Sequence, residues 1–200
     1  MLLQILVQAQ QPISLPAYAP SAGKYGFLYI SGDDTDHHVA NENQPQLDAS
    51  MTRFMQLCLD LSGVTSATTD ILALGIQALG VTAPDGTGLN GCNNNADSAI
   101  PGYSGTDAYL AFTSWASSLY VNGRLATYQI VTDAADLYTI NFADYRMIYL
   151  PSQKAVAQCS NFTYTLCDIE TALLYRVNDI VDYVNNKRGS IFALEQSIDP

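Results

Sequence analysis

Short, continuous apolar runs alternate along this chain with longer stretches in which apolar residues recur at helical spacing. The runs "YGFLYIS" (25–31), "DILALG" (70–75), "RLATYQIVT" (124–132), "DYRMIYLPS" (144–152) and "SIFALE" (190–195) predict strands. Continuous rather than alternating hydrophobicity is what a strand covered on both faces requires. Residues 48–62 carry Met51, Phe54, Met55, Cys58 and Leu59 at helical spacing, with Gly63 placed to stop that helix. "TDAYLAFTSWASSLYV" (106–121) predicts a second helix, with Thr106 or Asp107 at its N-cap and Trp115 as a core or interface anchor. The last helix is the clearest. Asp168 is its N-cap, Ile169, Leu173, Val177, Ile180 and Val184 follow one face, and Lys187, Arg188 and Gly189 close it. This alternation predicts a three-layer α/β domain around a mainly parallel, flavodoxin-like sheet of about five strands.

In such sheets ligands bind beyond the carboxyl ends of the strands. That edge receives "GDDTDHH" (32–38) after the first strand, "PSQ" after the fourth and "EQS" (195–197) after the fifth. Asp33, Asp34, Asp36 and Glu195 are therefore expected to line a polar cleft there. Gathered carboxylates repel one another, so each must be solvated, capped by backbone N–H groups or neutralised by a cation. Calcium suits such an oxygen set, although the spacing is not that of an EF-hand loop. Adjacent His37 and His38 diverge and do not complete a zinc site. Ser197 as a nucleophile with a histidine base lacks the G-x-S-x-G elbow. Glu195 at a strand end has the position of a carboxylate with a raised pKa, but a solvated or capped Glu is the commoner outcome. The ranking is an acidic capping loop first, a calcium site on Asp33, Asp34 and Asp36 second, and a catalytic site third. No catalytic residue and no cofactor beyond that calcium is assigned.

Composition narrows the setting. Two hundred residues, 48% of them hydrophobic, suffice for one domain with a substantial core. Eight basic against 19 acidic residues give a net charge of -11, which excludes nucleic acid as a natural partner. No apolar run reaches the roughly 20 residues of a membrane span. The N-terminus, "LLQILVQAQQ", has a short apolar stretch and a small-residue pattern at Val7-Gln8-Ala9, but no Lys or Arg before Lys24. Residues 1–24 read as a residual signal peptide and a Pro-rich leader, and 25–200 as the domain. The four cysteines agree with export. Cys159 and Cys167 bracket "SNFTYTL", which holds the sequon at Asn161, and a disulfide between them would close that segment. Cys92 could pair with Cys58, or Cys58 could equally be a buried thiol on its helical stripe.

The set "FLYISGDDTDHH", "ILALG", "FTSW", "FADYRMIYLPS" and "LLYRVNDIVDYVNNKRGSIFALEQS" resembles an uncharacterised extracellular domain of the class I glutamine-amidotransferase-like superfamily, which includes trehalose-utilisation-type proteins. The resemblance covers about residues 25–197 and is weakest over 83–105. Its catalytic members carry a cysteine on a sharp turn after a strand, with a histidine and an acid downstream. Here the comparable turn carries Glu195, Gln196 and Ser197. The missing nucleophile, and the further strands that the resemblance implies, mark residues 25–200 as a domain incomplete at its C-terminus. The resemblance thus implies a non-catalytic structural or recognition module of a larger secreted or cell-surface protein. Its partners would be other domains of the same polypeptide or extracellular proteins. The alternative is a hydrolase or amidotransferase-like enzyme whose remaining catalytic residues lie outside this chain.

Overall fold

The computed structural model describes residues 26–32, 35–42, 44–76, 107–131, 133–152 and 165–194. In chain order the elements are β1 (Leu28–Ser31), α1 (Thr35–Glu42), α2 (Pro45–Leu61), β2 (Thr69–Leu74), α3 (Asp107–Ala116), β3 (Tyr120–Val121), β4 (Arg124–Leu125) and β5 (Tyr128–Val131). Two 3-10 turns (Ala134–Tyr138 and Phe142–Asp144) lead into β6 (Tyr145–Leu150), α4 (Thr165–Tyr175), α5 (Val177–Asn185) and β7 (Ser190–Leu194). Five strands form a wholly parallel sheet in the order β1-β7-β6-β2-β5, and β3 and β4 form a separate hairpin. This is the flavodoxin-like α/β architecture. The spatial pattern 2-1-3-4-5 is filled here by β5, β2, β6, β7 and, at the last edge position, β1.

The layers follow from side-chain alternation. Register aligns Tyr29 with Phe192 and Phe192 with Tyr149, so these rings share one face of the sheet. Tyr29 stacks on Phe192 at 4.7 Å and on Phe54 of α2, while Tyr149 stacks on Phe112 of α3 at 5.2 Å. Trp115, fully buried, meets both Tyr149 and Phe192 edge-on. Met51, Met55, Cys58 and Leu59 are the buried stripe by which α2 joins this layer. The other layer is α4 and α5, which pack against the two 3-10 turns and bury Ile169, Leu173, Ile180 and Tyr183. At the amino edge Tyr183 lies against Gly189, where a Cβ would fall 1.9 Å from its ring, and a Cβ on Gly26 would fall 2.0 Å from the Gly189 carbonyl oxygen. Only glycines allow the chain to cross itself there.

The five predicted strands are present, with shifted ends. Residues 106–121 are not one helix: α3 stops at Ala116 and the chain turns into β3. Residues 124–125 belong to that hairpin, so the third sheet strand begins at Tyr128 rather than at 124. The signal was Asn122-Gly123, whose φ values of 52° and 78° make the two-residue turn that matches strand twist. The last helix is two helices, broken at Arg176. Its guanidinium donates to the Leu137 and Ile140 carbonyls and lies over the Phe142 ring at 4.5 Å, drawing the chain away from regular helix.

Candidate functional site at the carboxyl edge

From β2 the chain moves outward to β5 and then returns to β6 on the other side of β2. The direction of winding therefore reverses between β2 and β6, and an α/β sheet offers its crevice beyond the carboxyl ends of that pair. Here those ends are Leu74-Gly75 and Leu150-Pro151-Ser152. Gly75 takes φ 72° and ties its amide to the Val131 carbonyl at 2.8 Å. Ser31 pairs with Leu194, so the acidic segment after β1 and the segment after β7 leave from neighbouring strands.

Asp36 is delivered to this edge by α1. It lies in the first helical turn, where a carboxylate is favoured by the dipole, and is fully buried. The Ser152 amide donates to its Oδ2 at 2.8 Å, the Ser152 hydroxyl to its Oδ1 at 2.5 Å, and the Tyr149 hydroxyl to its Oδ2 at 3.2 Å. Ser152 is fully buried as well. Burial pushes the Tyr149 phenol well above its ordinary pKa, and the Asp36 charge and hydrogen bond push it the same way, so the phenol remains a donor. Tyr149 thus runs from the aromatic layer to the polar edge, and Asp36 binds the segment after β6 to α1 across 116 residues of chain.

Of the residues expected at this edge, Asp36 is placed in full: it is a buried acceptor. Asp33, Asp34, Glu195 and Ser197 lie outside the described residues, and the polar cleft and calcium site expected of them with Asp36 lie there in large part. Among the described residues, no group of three or more His, Cys, Asp or Glu could hold a metal ion. Cys58 carries a free thiol, fully buried on α2, and burial pushes its pKa far up. Cys92, Cys159 and Asn161 are outside the described residues, as is the Cys167 side chain, so the expected Cys159–Cys167 bridge and the glycan are too. Ser152 and Tyr149 were not singled out from sequence, although "PSQ" was assigned to this edge. Their signal was a Tyr two residues before a Pro-Ser turn that ends a buried strand.

Two further polar clusters sit at the opposite, amino edge. Asp70, nearly fully buried at the start of β2, accepts from both terminal nitrogens of Arg124 (2.6 and 3.2 Å) and from the Thr127 amide (2.8 Å) and hydroxyl (3.0 Å). The Arg146 Nε is 3.3 Å away. Burial pushes the Asp70 carboxyl up, but the Arg124 hydrogen bonds and the Thr127 donors outweigh it and hold the pKa below the ordinary value. A shallow cleft between the second 3-10 turn and α5 is lined by Asn141, Phe142, Arg176, Asp179, Asp182 and Lys187. Its charges are paired internally, Arg176 with Asp179 at 2.8 Å and Lys187 with Asp182 at 3.9 Å. Both clusters fasten the fold at the edge away from the crevice.

The fold and the edge define a flavodoxin-like α/β domain whose switch point carries a buried carboxylate–serine–tyrosine knot. Comparison with known proteins finds no matching family model, curated sequence or solved structure. No helix among the described residues is long and apolar enough to cross a membrane.

Proposed function

We propose that this chain is a non-catalytic structural or recognition module of a secreted or cell-surface protein, built on an amidotransferase-like domain. The observation that carries this reading is the state of the polar groups at the switch point. A catalytic serine needs its hydroxyl open to substrate and hydrogen-bonded to a base that can take its proton. Ser152 instead is fully buried and gives its hydroxyl to Asp36, which is also held by the Ser152 amide and by Tyr149. Cys58 is sealed in the core with its thiol held protonated by burial. Polar groups that satisfy one another in this way rigidify the edge on which recognition loops are carried. The acidic balance of the chain, its N-terminal pattern and the sequon at Asn161 support the extracellular setting.

The test is chemical. The folded protein is treated with a fluorophosphonate and with iodoacetamide, its peptides are mapped, and it is assayed for hydrolysis of glutamine, simple amides and esters. No adduct on Ser152 or Cys58 and no turnover are expected. Turnover abolished by Ser152→Ala or Glu195→Gln would replace the module with the hydrolase or amidotransferase-like alternative. Expression of the complete gene in a secreting cell, with glycosidase treatment of the medium, tests the location: a glycan on Asn161 is expected.

A further inference from the structure

We infer that β5 is a docking edge for a second copy of this chain, whose own β5 adds antiparallel to it. The inference is independent of the reading of the carboxyl edge. Among the described residues, β5 is the last strand of the sheet and is paired on one side only. The Thr127 carbonyl accepts from the Ile71 amide and the Val131 carbonyl from the Gly75 amide, so alternate residues of β5 face β2. By the same alternation the backbone N–H and C=O groups of Tyr128 and Ile130 face outward, and no described residue bonds them. The neighbouring hairpin contrasts with this. The outer groups of Tyr120 are closed by the Gln56 amide, which donates to its carbonyl at 2.8 Å and accepts from its N–H at 2.9 Å.

An unprotected edge of this kind is a template for strand addition, and proteins ordinarily blunt it with charge, proline or a bulge. β5 has none of these. Between Asp107 and Asp133 the sequence carries no carboxylate, and Arg124 is its single charge, in a chain of net charge -11. Apolar side chains are exposed on the strand and on the hairpin that leads into it: Tyr128 is 44% exposed, and the cross-strand partners Tyr120 and Leu125 are 53% and 52% exposed. Charge complementarity selects the second copy and its direction. Arg124, half exposed, stands before the amino end of β5, where it and Arg146 share the single buried carboxylate of Asp70 and leave that end with an excess positive charge. The exposed Asp133, which caps the Ala135 amide, stands just past the carboxyl end. Antiparallel addition brings Arg124 of each copy to the end where the partner's Asp133 lies, whereas parallel addition sets like ends together. Centred on Gln129, the pairing matches Tyr128 with the partner's Ile130 and Ile130 with the partner's Tyr128, each an exchange of two backbone hydrogen bonds. The two sheets then become one continuous sheet.

Sedimentation velocity and light scattering of the whole chain over a concentration series test this. An interface this small predicts a monomer–dimer equilibrium with Kd on the order of micromolar. Tyr128→Pro removes an outward N–H at a place where an edge strand tolerates proline, and should weaken the dimer at least about tenfold, each hydrogen-bond exchange counting for more than 1.4 kcal/mol. Gln129→Cys places two thiols at a non-hydrogen-bonded antiparallel position, where Cα atoms approach to about 4.5 Å, close enough for a disulfide. Mild oxidation should yield a dimer whose mapped bridge joins position 129 to position 129. If Tyr128→Pro fails to fold, the Gln129→Cys bridge alone decides. A monomeric mass at every concentration, a dimer unchanged in a folded Tyr128→Pro, or no 129–129 bridge would overturn the inference.

Discussion

Asp36→Ala removes the acceptor of the knot and leaves the Ser152 amide, the Ser152 hydroxyl and the Tyr149 hydroxyl without it in a fully buried place. Each stranded donor costs about 1–3 kcal/mol. The simple sum is too large, because the hydroxyls can rotate and because a buried charge, itself costly, is removed as well. A net loss of about 3–5 kcal/mol is expected, which for a domain of this size lowers Tm by roughly 6–20 °C. Asp36→Asn should be milder, about 1–2 kcal/mol. Its oxygen can keep the Ser152 amide and Tyr149, while its NH2 faces the Ser152 oxygen once that hydroxyl has turned. Urea unfolding followed by tryptophan fluorescence reads the difference directly, since Trp115 is fully buried against Tyr149. An Asp36→Ala protein within about 0.5 kcal/mol of the parent, the range of an ordinary surface change, would refute the buried acceptor.

Acid should expose the other carboxylate. Because the folded-state pKa of Asp70 lies below its ordinary value, its contribution is complete above the unfolded value near 3.9 and is lost as pH falls through the folded one. Asp70→Asn should therefore flatten the fall in stability below about pH 4; an acid limb unchanged from the parent would contradict this. Gly189→Ala puts a methyl into the Tyr183 ring and should cost more than about 3 kcal/mol, whereas Gly123→Ala, with open space around its Cβ and only the strain of φ 78°, should cost about 1 kcal/mol in the same denaturation assay.

The sheet was legible because its three central strands, β2, β6 and β7, are buried nearly along their whole length and so read as unbroken apolar runs. The half-buried β1 and the more exposed β5 at its edges keep enough apolar residues to be read with them. α1 was not, since "TDHHVANE" has no apolar stripe. The knot that holds its first turn is completed by residues more than a hundred positions away. The hairpin was hidden because helical spacing runs on through "SSLYV", although Asn122-Gly123 marked the turn. The break at Arg176 could not be read from periodicity either: Leu173, Val177 and Ile180 keep their spacing across it, and the cause is a set of carbonyls from the 3-10 turn region. At the candidate site the sequence named the edge and Asp36. It could not say that Asp36 is buried, because that depends on how Ser152 and Tyr149 close over it.

The central claim is that the carboxyl edge is locked by Asp36 on Ser152. Native-state hydrogen exchange at the Ser152 amide measures this bond most directly, since that N–H donates to Asp36 at 2.8 Å from a fully buried residue. In the parent the amide should exchange only through global unfolding, at the rate of the core amides of β6, and in Asp36→Ala it should exchange through local opening, orders of magnitude faster. Exchange in the parent as fast as that of an exposed loop amide, or no difference between parent and variant, would contradict the lock.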